Sequence, residues 1–388
     1  MFATSVVRGF LRRPVVRIGC SSLGVIGLNT AVHAGTAVPS YTLQDLGTLP
    51  GGASSSAAGI NNSGQVVGSA DSGGATHAVL FSGGTVLDLA AGTSGNSYAT
   101  GINSSGQVVG YSNPGQAFIY SGGTVQPISG TFQALGINDN GQAVGSTSLP
   151  GASTRFQAFL YTNGNLQVLT PPPSSNDAAG AAINSSGQVV VNVYPGFTSQ
   201  TYLYSNGTLQ QIDGLGGAVT EGHAINSQGQ VVGDSGIGLD VQTRGGPEHA
   251  FLYSDGTTQD LGTLPGSLSI SSASGINDAG EIVGQSTTAS SVVSTDSDGF
   301  LYLNGTMYDL NTLTTGDSGY LITVGVAINA SGQIAADAIS PSGQEHAVLL
   351  SPALSPTATA VPLPAAAWAS LTMLPLLLLG KRVRRLLA

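Results

Sequence analysis

One ten-residue motif, Gly59-Ile60-Asn61-Asn62-Ser63-Gly64-Gln65-Val66-Val67-Gly68, returns through most of this chain and limits what it can become. Its core recurs at Gly101-Ile102-Asn103, Gly136-Ile137-Asn138, Ala182-Ile183-Asn184, Ala224-Ile225-Asn226, Gly275-Ile276-Asn277 and Ala327-Ile328-Asn329, making seven copies. From Asn61 to Asn329 is 268 residues over six intervals, close to 45 each. A period of that length matches a four-stranded propeller blade. A second motif follows every copy, as His77-Ala78-Val79-Leu80-Phe81, Gln116-Ala117-Phe118-Ile119-Tyr120, Gln157-Ala158-Phe159-Leu160-Tyr161, Thr201-Tyr202-Leu203-Tyr204, His249-Ala250-Phe251-Leu252-Tyr253, Gly299-Phe300-Leu301-Tyr302 and His346-Ala347-Val348-Leu349.

Local chemistry turns each repeat into strands. Asn-x-x-Gly between apolar pieces is a tight turn, opened by the Asn side chain and finished by a Gly that accepts positive φ. It makes a hairpin of the segments on either side. The His-Ala-Phe-Leu-Tyr run is nearly all apolar, as a strand covered on both faces should be. Ser-x-Gly-Thr or Asn-Gly then turns into a fourth strand such as Thr85–Asp88. Small residues before the turn Asn, as in Ala58-Gly59 and Ser274-Gly275, place that strand innermost, where crowding at an axis leaves little room.

The repeats are offset by one strand. The seventh ends at Ala347-Val348-Leu349-Leu350 without its fourth strand, while Tyr41-Thr42-Leu43-Gln44-Asp45-Leu46-Gly47-Thr48-Leu49 stands unpartnered before the first. The expected fold is therefore an all-β, seven-bladed β-propeller of four-stranded blades, its last blade closed by the N-terminal strand. Closure removes edges that would invite aggregation. An open β-solenoid is the alternative, but it does not explain the displaced strand.

Both ends read as addresses. Arg8, Arg12, Arg13 and Arg17 precede a mildly apolar stretch from Cys20 to Ala31, and Val32-His33-Ala34 before Gly35 fits a small-residue cleavage site. Residues 1–34 are thus expected to be a signal peptide, cut between Ala34 and Gly35. Arg12-Arg13 is only faintly twin-arginine-like, and the export route stays open. The single Cys20 leaves with that peptide, so the mature part is expected to hold no disulfide, thiolate nucleophile or Cys-ligated metal. At the other end, a linker over 352–360 leads to Val361-Pro362-Leu363-Pro364, an uncharged run over 365–380 and the basic Lys381-Arg382-Val383-Arg384-Arg385. Sixteen residues at ~1.5 Å rise span only ~24 Å of a ~30 Å hydrocarbon core. The run is expected to hold the chain in a membrane, with the basic cluster cytoplasmic and everything before Val361 on the far side.

Charge excludes some partners. Eight of the ten Lys and Arg lie in these two ends, leaving Arg155 and Arg244 against all twenty Asp and Glu, a net charge near −18 for the exported part. Such a surface repels nucleic acid and anionic lipid.

Candidate chemistry is sparse. Gly233-Asp234-Ser235-Gly236 and Gly316-Asp317-Ser318-Gly319 resemble a serine-protease nucleophile turn, which needs a neighbouring His and a buried Asp. Gly233 instead reads as the last residue of a Gln-Val-Val-Gly strand. His77, His249 and His346 share one repeat position and are expected on separate blades, too far apart to ligate one metal. The turns Asn138-Asp139-Asn140-Gly141 and Asn277-Asp278-Ala279-Gly280 lack the carboxylate spacing of a calcium loop and support at most weak calcium binding. No catalytic, cofactor-binding or metal residues are assigned. The carboxylates look scattered through loops and outer strands such as Asp45, Asp88, Asp260 and Asp309.

The His-Ala-Phe-Leu-Tyr copies, Asp-Leu-Gly-Thr-Leu-Pro-Gly at Asp45 and Asp260, and Gly-Ile-Asn-x-x-Gly-Gln-Val-Val-Gly together resemble the HAF-repeat family of extracellular bacterial proteins over about 41–350. Repeats four and six depart most, with Thr201 and Gly299 in place of Ala, and are expected to be irregular. The proline motif, short apolar run and Arg-rich tail resemble the PEP-CTERM signal of Gram-negative bacteria, with Leu363 where that signal has its Glu. This resemblance implies an exosortase-type processing enzyme as partner, cutting near Val361, Pro362, Leu363 and Pro364. An uncut anchor is the plain alternative. The family resemblance implies an exported protein of undefined biochemical role, with no catalytic residues to carry over; the scattered carboxylates then make the expectation a monomeric, non-enzymatic protein of the cell surface or matrix, held transiently at the inner membrane, then displayed or secreted, and acting as a scaffold or binding module for exopolysaccharide or another secreted partner. A glycosidase or lyase on a propeller is the alternative.

Overall fold

Antiparallel hairpins of six residues or so, each ended by a turn with positive-φ residues, can only stack sideways into small twisted sheets, and the chain does this seven times. The computed structural model describes residues 38–90, 95–148, 156–169, 177–238, 247–288, 297–316 and 318–353. Within them are seven four-stranded antiparallel sheets and one short helix, Leu310–Leu313. Blade 1 consists of Ser55–Ile60, Val66–Asp71, Thr76–Ser82 and Thr85–Asp88, hydrogen-bonded in that order. Blades 2 to 6 repeat the plan over 97–127, 133–169, 177–212, 216–262 and 267–309. Blade 7 takes Leu321–Ile328, Ile334–Ile339 and Glu345–Pro352 from the C-terminal side and Tyr41–Asp45 from the N-terminal side. The propeller and its displaced closing strand are as the repeat offset predicts. Blades 4 and 6, expected to be irregular, keep all four strands and an unbroken ladder between their second and third strands, because the substituted Thr201 and Gly299 still alternate correctly across the sheet.

The turn types follow from composition. Between third and outer strands, both central residues have positive φ in six blades, as at Asn163 (50°) and Gly164 (87°) or Asp255 (51°) and Gly256 (80°). Only Gly, Asn and Asp tolerate that pair, and its twist suits a hairpin. Since neighbouring strands alternate in direction, these turns and the Asn-x-x-Gly turns share one face of the disc. The longer connections share the other.

Second strands run past the Gly taken as their end: Val231–Ile237 continues through Gly233. The Gly is there for a different reason. At Gly68, Gly110, Gly145, Gly233 and Gly284, a β-carbon would come within about 2 Å of a carbonyl oxygen of the innermost strand. Blades 4 and 7 carry Val191 and Ala336 there, and the residues opposite are then Gly180 and Gly325. Each of the seven cross-strand pairs at this bulge thus contains a glycine.

The core lies between blades. Val67, Ala78 and Leu80 of blade 1 pack with Ala99, Val108 and Phe118 of blade 2, and the pattern continues around to Ala335, Ala347 and Leu349 of blade 7 against Val66, Val79 and Phe81 of blade 1. The terminal Tyr of the third strand has a polar task as well. Gln167, Gln210 and Gln259 donate from an outer strand to Tyr204, Tyr253 and Tyr302 of the next blade at 3.1, 3.3 and 3.1 Å.

The processing residues Ala34, Gly35, Val361, Pro362, Leu363 and Pro364, the signal peptide, the segment 365–380, Arg155 and Arg244 lie outside the described residues. No helix among the described residues is long and apolar enough to cross a membrane.

Candidate functional site

The seven turn asparagines meet at the axis. Each Oδ1 accepts from the backbone N–H groups two and four residues on, as Asn61 does from Ser63 and Gln65 at 3.0 Å each. That fixes the turn, and it also aims Nδ2 across the blade boundary. Asn61 donates to the Asn103 carbonyl, Asn103 to Asn138, Asn138 to Asn184, Asn184 to Asn226, Asn226 to Asn277, Asn277 to Asn329 and Asn329 back to Asn61, at 2.9–3.2 Å. The ring of hydrogen bonds is complete. The second Nδ2 proton goes to Gln65, Gln107, Gln142, Gln188, Gln230, Glu281 or Gln333 of the same blade. Each Asn carbonyl also accepts from the turn Gly, as from Gly64 at 3.0 Å. All seven side chains are buried.

An amide ring so fully used has no donor or acceptor left for a ligand. It lines, with the seven isoleucines that precede it, an open axial pocket of about 240 Å³. The residues after each Asn form the rim, and there Asp139 accepts from Ser104 N–H at 2.8 Å and Asp278 from Ser227 N–H at 2.9 Å. These are the two carboxylates weighed for calcium, and each is engaged in tying one turn to the next.

The repeat histidines sit far from this ring. His77, His249 and His346 each direct Nδ1 at an Asp of the outer strand in the same blade: Asp88 at 2.9 Å, Asp260 at 2.9 Å and Asp45 at 3.0 Å. The structure therefore keeps the three apart, on blades 1, 5 and 7. In blade 7 the pair joins the two ends of the propeller, and Tyr320 donates to the same Asp45 at 2.7 Å. Burial works to raise the Asp45 carboxyl, but the hydrogen bonds from Tyr320, Gly47 and His346 outweigh it and hold it below the usual range.

Ser235 is fully buried and accepts from Leu215 N–H at 3.0 Å while donating to Val219 carbonyl at 3.0 Å. A nucleophile must be reachable and must face a base, and this hydroxyl does neither. Ser318 caps a local turn by accepting from Tyr320 N–H.

One polar cluster was not foreseen. The carboxylates are not confined to loops and outer strands, because Glu221 on the innermost strand of blade 5 pairs across the sheet with Asp234 on the second. Asp234 Oδ1 accepts from Ser272 Oγ of blade 6 at 2.8 Å and lies 3.4 Å from His223 Nε2, while His223 Nδ1 lies 3.0 Å from the Ala273 carbonyl. Burial, then Asp234 and Glu221, raise the Glu248 carboxyl, and burial with Glu221 pushes Tyr194 up to about 12. Ser, His and Asp are adjacent here, with Ser272 Oγ 3.5 Å from His223 Nδ1, but the shortest contact, at 2.8 Å, runs from Ser272 to Asp234 and bypasses the imidazole. The hydroxyl donates straight to the carboxylate, and His223 Nδ1 is occupied by a backbone carbonyl. The signal was present in His223, which stands where the other repeats carry Ala58, Thr100, Leu135, Ala181, Ser274 and Val326, none of them ionisable. Among the described residues, no group of three or more His, Asp or Glu is arranged to hold a metal ion.

No family model matches the chain, and no curated protein matches it. Solved structures match through the fold. TolB from Acinetobacter baumannii is 12% identical, with 75% of this chain covering 64% of that one at a TM-score of 0.43. The β-propeller domain of the Trilobed protease from Pyrococcus furiosus is 9% identical over 77% of this chain and 94% of that one, at 0.49. A gluconolactonase from Xanthomonas campestris is 10% identical over 83% and 93%, at 0.39.

Proposed function

We propose that the propeller is a non-enzymatic scaffold or binding module of the bacterial surface or extracellular matrix, of the HAF-repeat kind, associated with exopolysaccharide. The observation that carries this reading is the commitment of the repeat's own polar residues. The turn Asn, the Gln four residues on and the strand-end His, which would supply chemistry if the repeat were built for it, bond to the framework instead. What varies is the opposite face, where the strands lead into the longer connections and most of the described carboxylates lie without a described Lys or Arg to neutralise them. That surface suits neutral glycans and divalent cations. Co-sedimentation of the purified full chain with exopolysaccharide from the native cells, with and without calcium, tests it. Retention in the pellet is expected. Shortening of the polysaccharide, read as new reducing ends, would favour the glycosidase or lyase reading instead.

Sorting is the second half of the proposal: export through the N-terminal signal, a transient stop at the inner membrane, and cleavage by an exosortase-type enzyme near Val361–Pro364. Intact-mass analysis of extracellular material should show a C-terminus close to these prolines. A mass that includes Ala388 would make the tail a permanent anchor.

A further inference from the structure

The bulge on each innermost strand turns one residue's backbone toward the preceding blade, and its carbonyl needs a partner there. Three seams supply one. Thr100 Oγ1 donates to the Ala134 carbonyl at 2.8 Å, His223 Nδ1 lies 3.0 Å from that of Ala273, and Asn192 Nδ2 donates to that of Gly222 at 2.9 Å. Asn192 does more, since its Oδ1 also accepts from Gly222 N–H at 3.1 Å and so grips both sides of one peptide residue. At the seam that closes the ring, between blades 7 and 1, the residue in the position of Asn192 is Asp337 and the residue in the position of Gly222 is Ala57. Asp337 Oδ1 accepts from Ala57 N–H at 2.7 Å, which is half of the Asn192 grip.

We propose that Asp337 supplies the other half as a neutral acid, its second oxygen donating to the Ala57 carbonyl, and that ionising it loosens the seam on which ring closure depends. A carboxylate there would set a half-buried negative oxygen against a carbonyl with no proton between them. The elements packed on the Asp337 strand are Leu321–Ile328, Glu345–Pro352 and Ser55–Ile60. The first and last bring no titratable side chain. Glu345–Pro352 brings Glu345, whose charge disfavours a second anion, and His346, which stands opposite Ala338 and so lies on the other side of the sheet, bonded to Asp45. Among the described residues, nothing cationic faces Asp337. Burial, opposed by the Ala57 N–H and assisted by Glu345, pushes its carboxyl up to about 7 from an ordinary 3.8.

The pH window follows from that direction. An acid whose folded-state pKa is raised keeps its proton in the native chain while the unfolded chain loses it. Its contribution is whole below about 3.8, declines as pH rises, and is gone above about 7. Asp337→Asn removes the titration and keeps both hydrogen bonds. The full-length variant should match the wild type in denaturant stability at pH 4. The ratio of its folding constant to that of the wild type should then rise about tenfold per pH unit, reaching on the order of a thousandfold by pH 7 to 8 and levelling there. A ratio that stays flat with pH overturns the proposal. Asp337→Val, neutral but without a donor, should be clearly less stable than both at pH 4, and equal stability would remove the donor role. Should the variants fail to fold, the carboxyl carbon of Asp337 in the wild type still decides: a titration midpoint near 7 supports the neutral acid, and one below 5 overturns it.

Discussion

The axis and the rim of this propeller are closed by opposite means. At the axis one hydrogen bond is made seven times, each Asn holding the next, so that the same link recurs at every junction. At the rim a single strand, Tyr41–Asp45, does the closing alone. It pairs with Glu345–Pro352, buries Tyr41, accepts from Thr315 N–H at 2.8 Å through the Tyr41 carbonyl and receives His346 and Tyr320 on Asp45. Redundancy spreads a defect over many sites, whereas a unique element concentrates it, and the two regions should respond to mutation accordingly.

The largest effect is expected from the rim. Removing Tyr41–Leu49 deletes a strand and opens the cluster of Ile322, Val348 and Leu350 to which Tyr41 belongs, as well as the blade 1 cluster that contains Leu49. Thermal unfolding of this deletion should shift steeply downward or lose cooperativity. Tyr41→Ala is the gentler version, and truncating a fully buried aromatic costs about 3–5 kcal/mol. A melting curve unchanged by the deletion would mean that the ring does not depend on its closing strand.

At the axis the expected loss is smaller. Asn184→Ala removes the acceptor of Ser186 and Gln188 N–H, the donor to Gln188 and the donor to the Asn226 carbonyl, all within a buried turn. Leaving such groups unpaired costs roughly 1–3 kcal/mol for the first and less for those that find water. The Asn138 bond survives because it ends on the backbone of residue 184. Chemical denaturation should give nearly the same loss for Asn103→Ala and Asn226→Ala. A spread wider than about 2 kcal/mol among the three would show that the junctions are not equivalent after all.

The difference also explains what could be read in advance. Repetition made the fold legible: seven copies of Asn-x-x-Gly and of the third strand fix blade number and strand order, and one surplus strand at Tyr41 identifies the closure. Reading each repeat alone assigned Asn61 only to its own turn, because a bond from Asn61 to Asn103 exists only once the blades stand in a circle. The glycine of Gln-Val-Val-Gly looked like a strand end for the same reason. Its meaning depends on the residue across the sheet, and only the exchange in blades 4 and 7, where Gly180 and Gly325 face Val191 and Ala336, reveals the steric rule. Residues that break the repeat were the hardest. Asp234 and Asp337 occupy a position held elsewhere by Ser69, Tyr111, Ser146, Asn192 and Gln285, and no period predicts what an exception bonds to.

The smallest expected effect separates the histidine pairs, which look alike in sequence. His77 and Asp88 lie eleven residues apart in one hairpin, so their contact forms whenever the hairpin does. His346 and Asp45 lie 301 residues apart, and their contact forms only on closure. His346→Ala should therefore cost about 1 kcal/mol, a partly exposed pair gaining little from its charge, and His77→Ala less, because its pair lies within one hairpin and closes nothing. Acid should magnify the contrast at the rim. The Asp45 carboxyl is held below its ordinary value in the folded chain, so its stabilising contribution is complete above the ordinary carboxylate range and lost as pH falls through the depressed value. Stability of the wild type should fall below about pH 4 partly through this group, and His346→Ala, which removes one of the interactions lowering it, should reduce that dependence without abolishing it, because Tyr320 and Gly47 N–H remain. Denaturant midpoints of both variants between pH 3 and 6 measure this. An acid dependence altered equally by His77→Ala and His346→Ala would place the sensitivity elsewhere than in the closing strand.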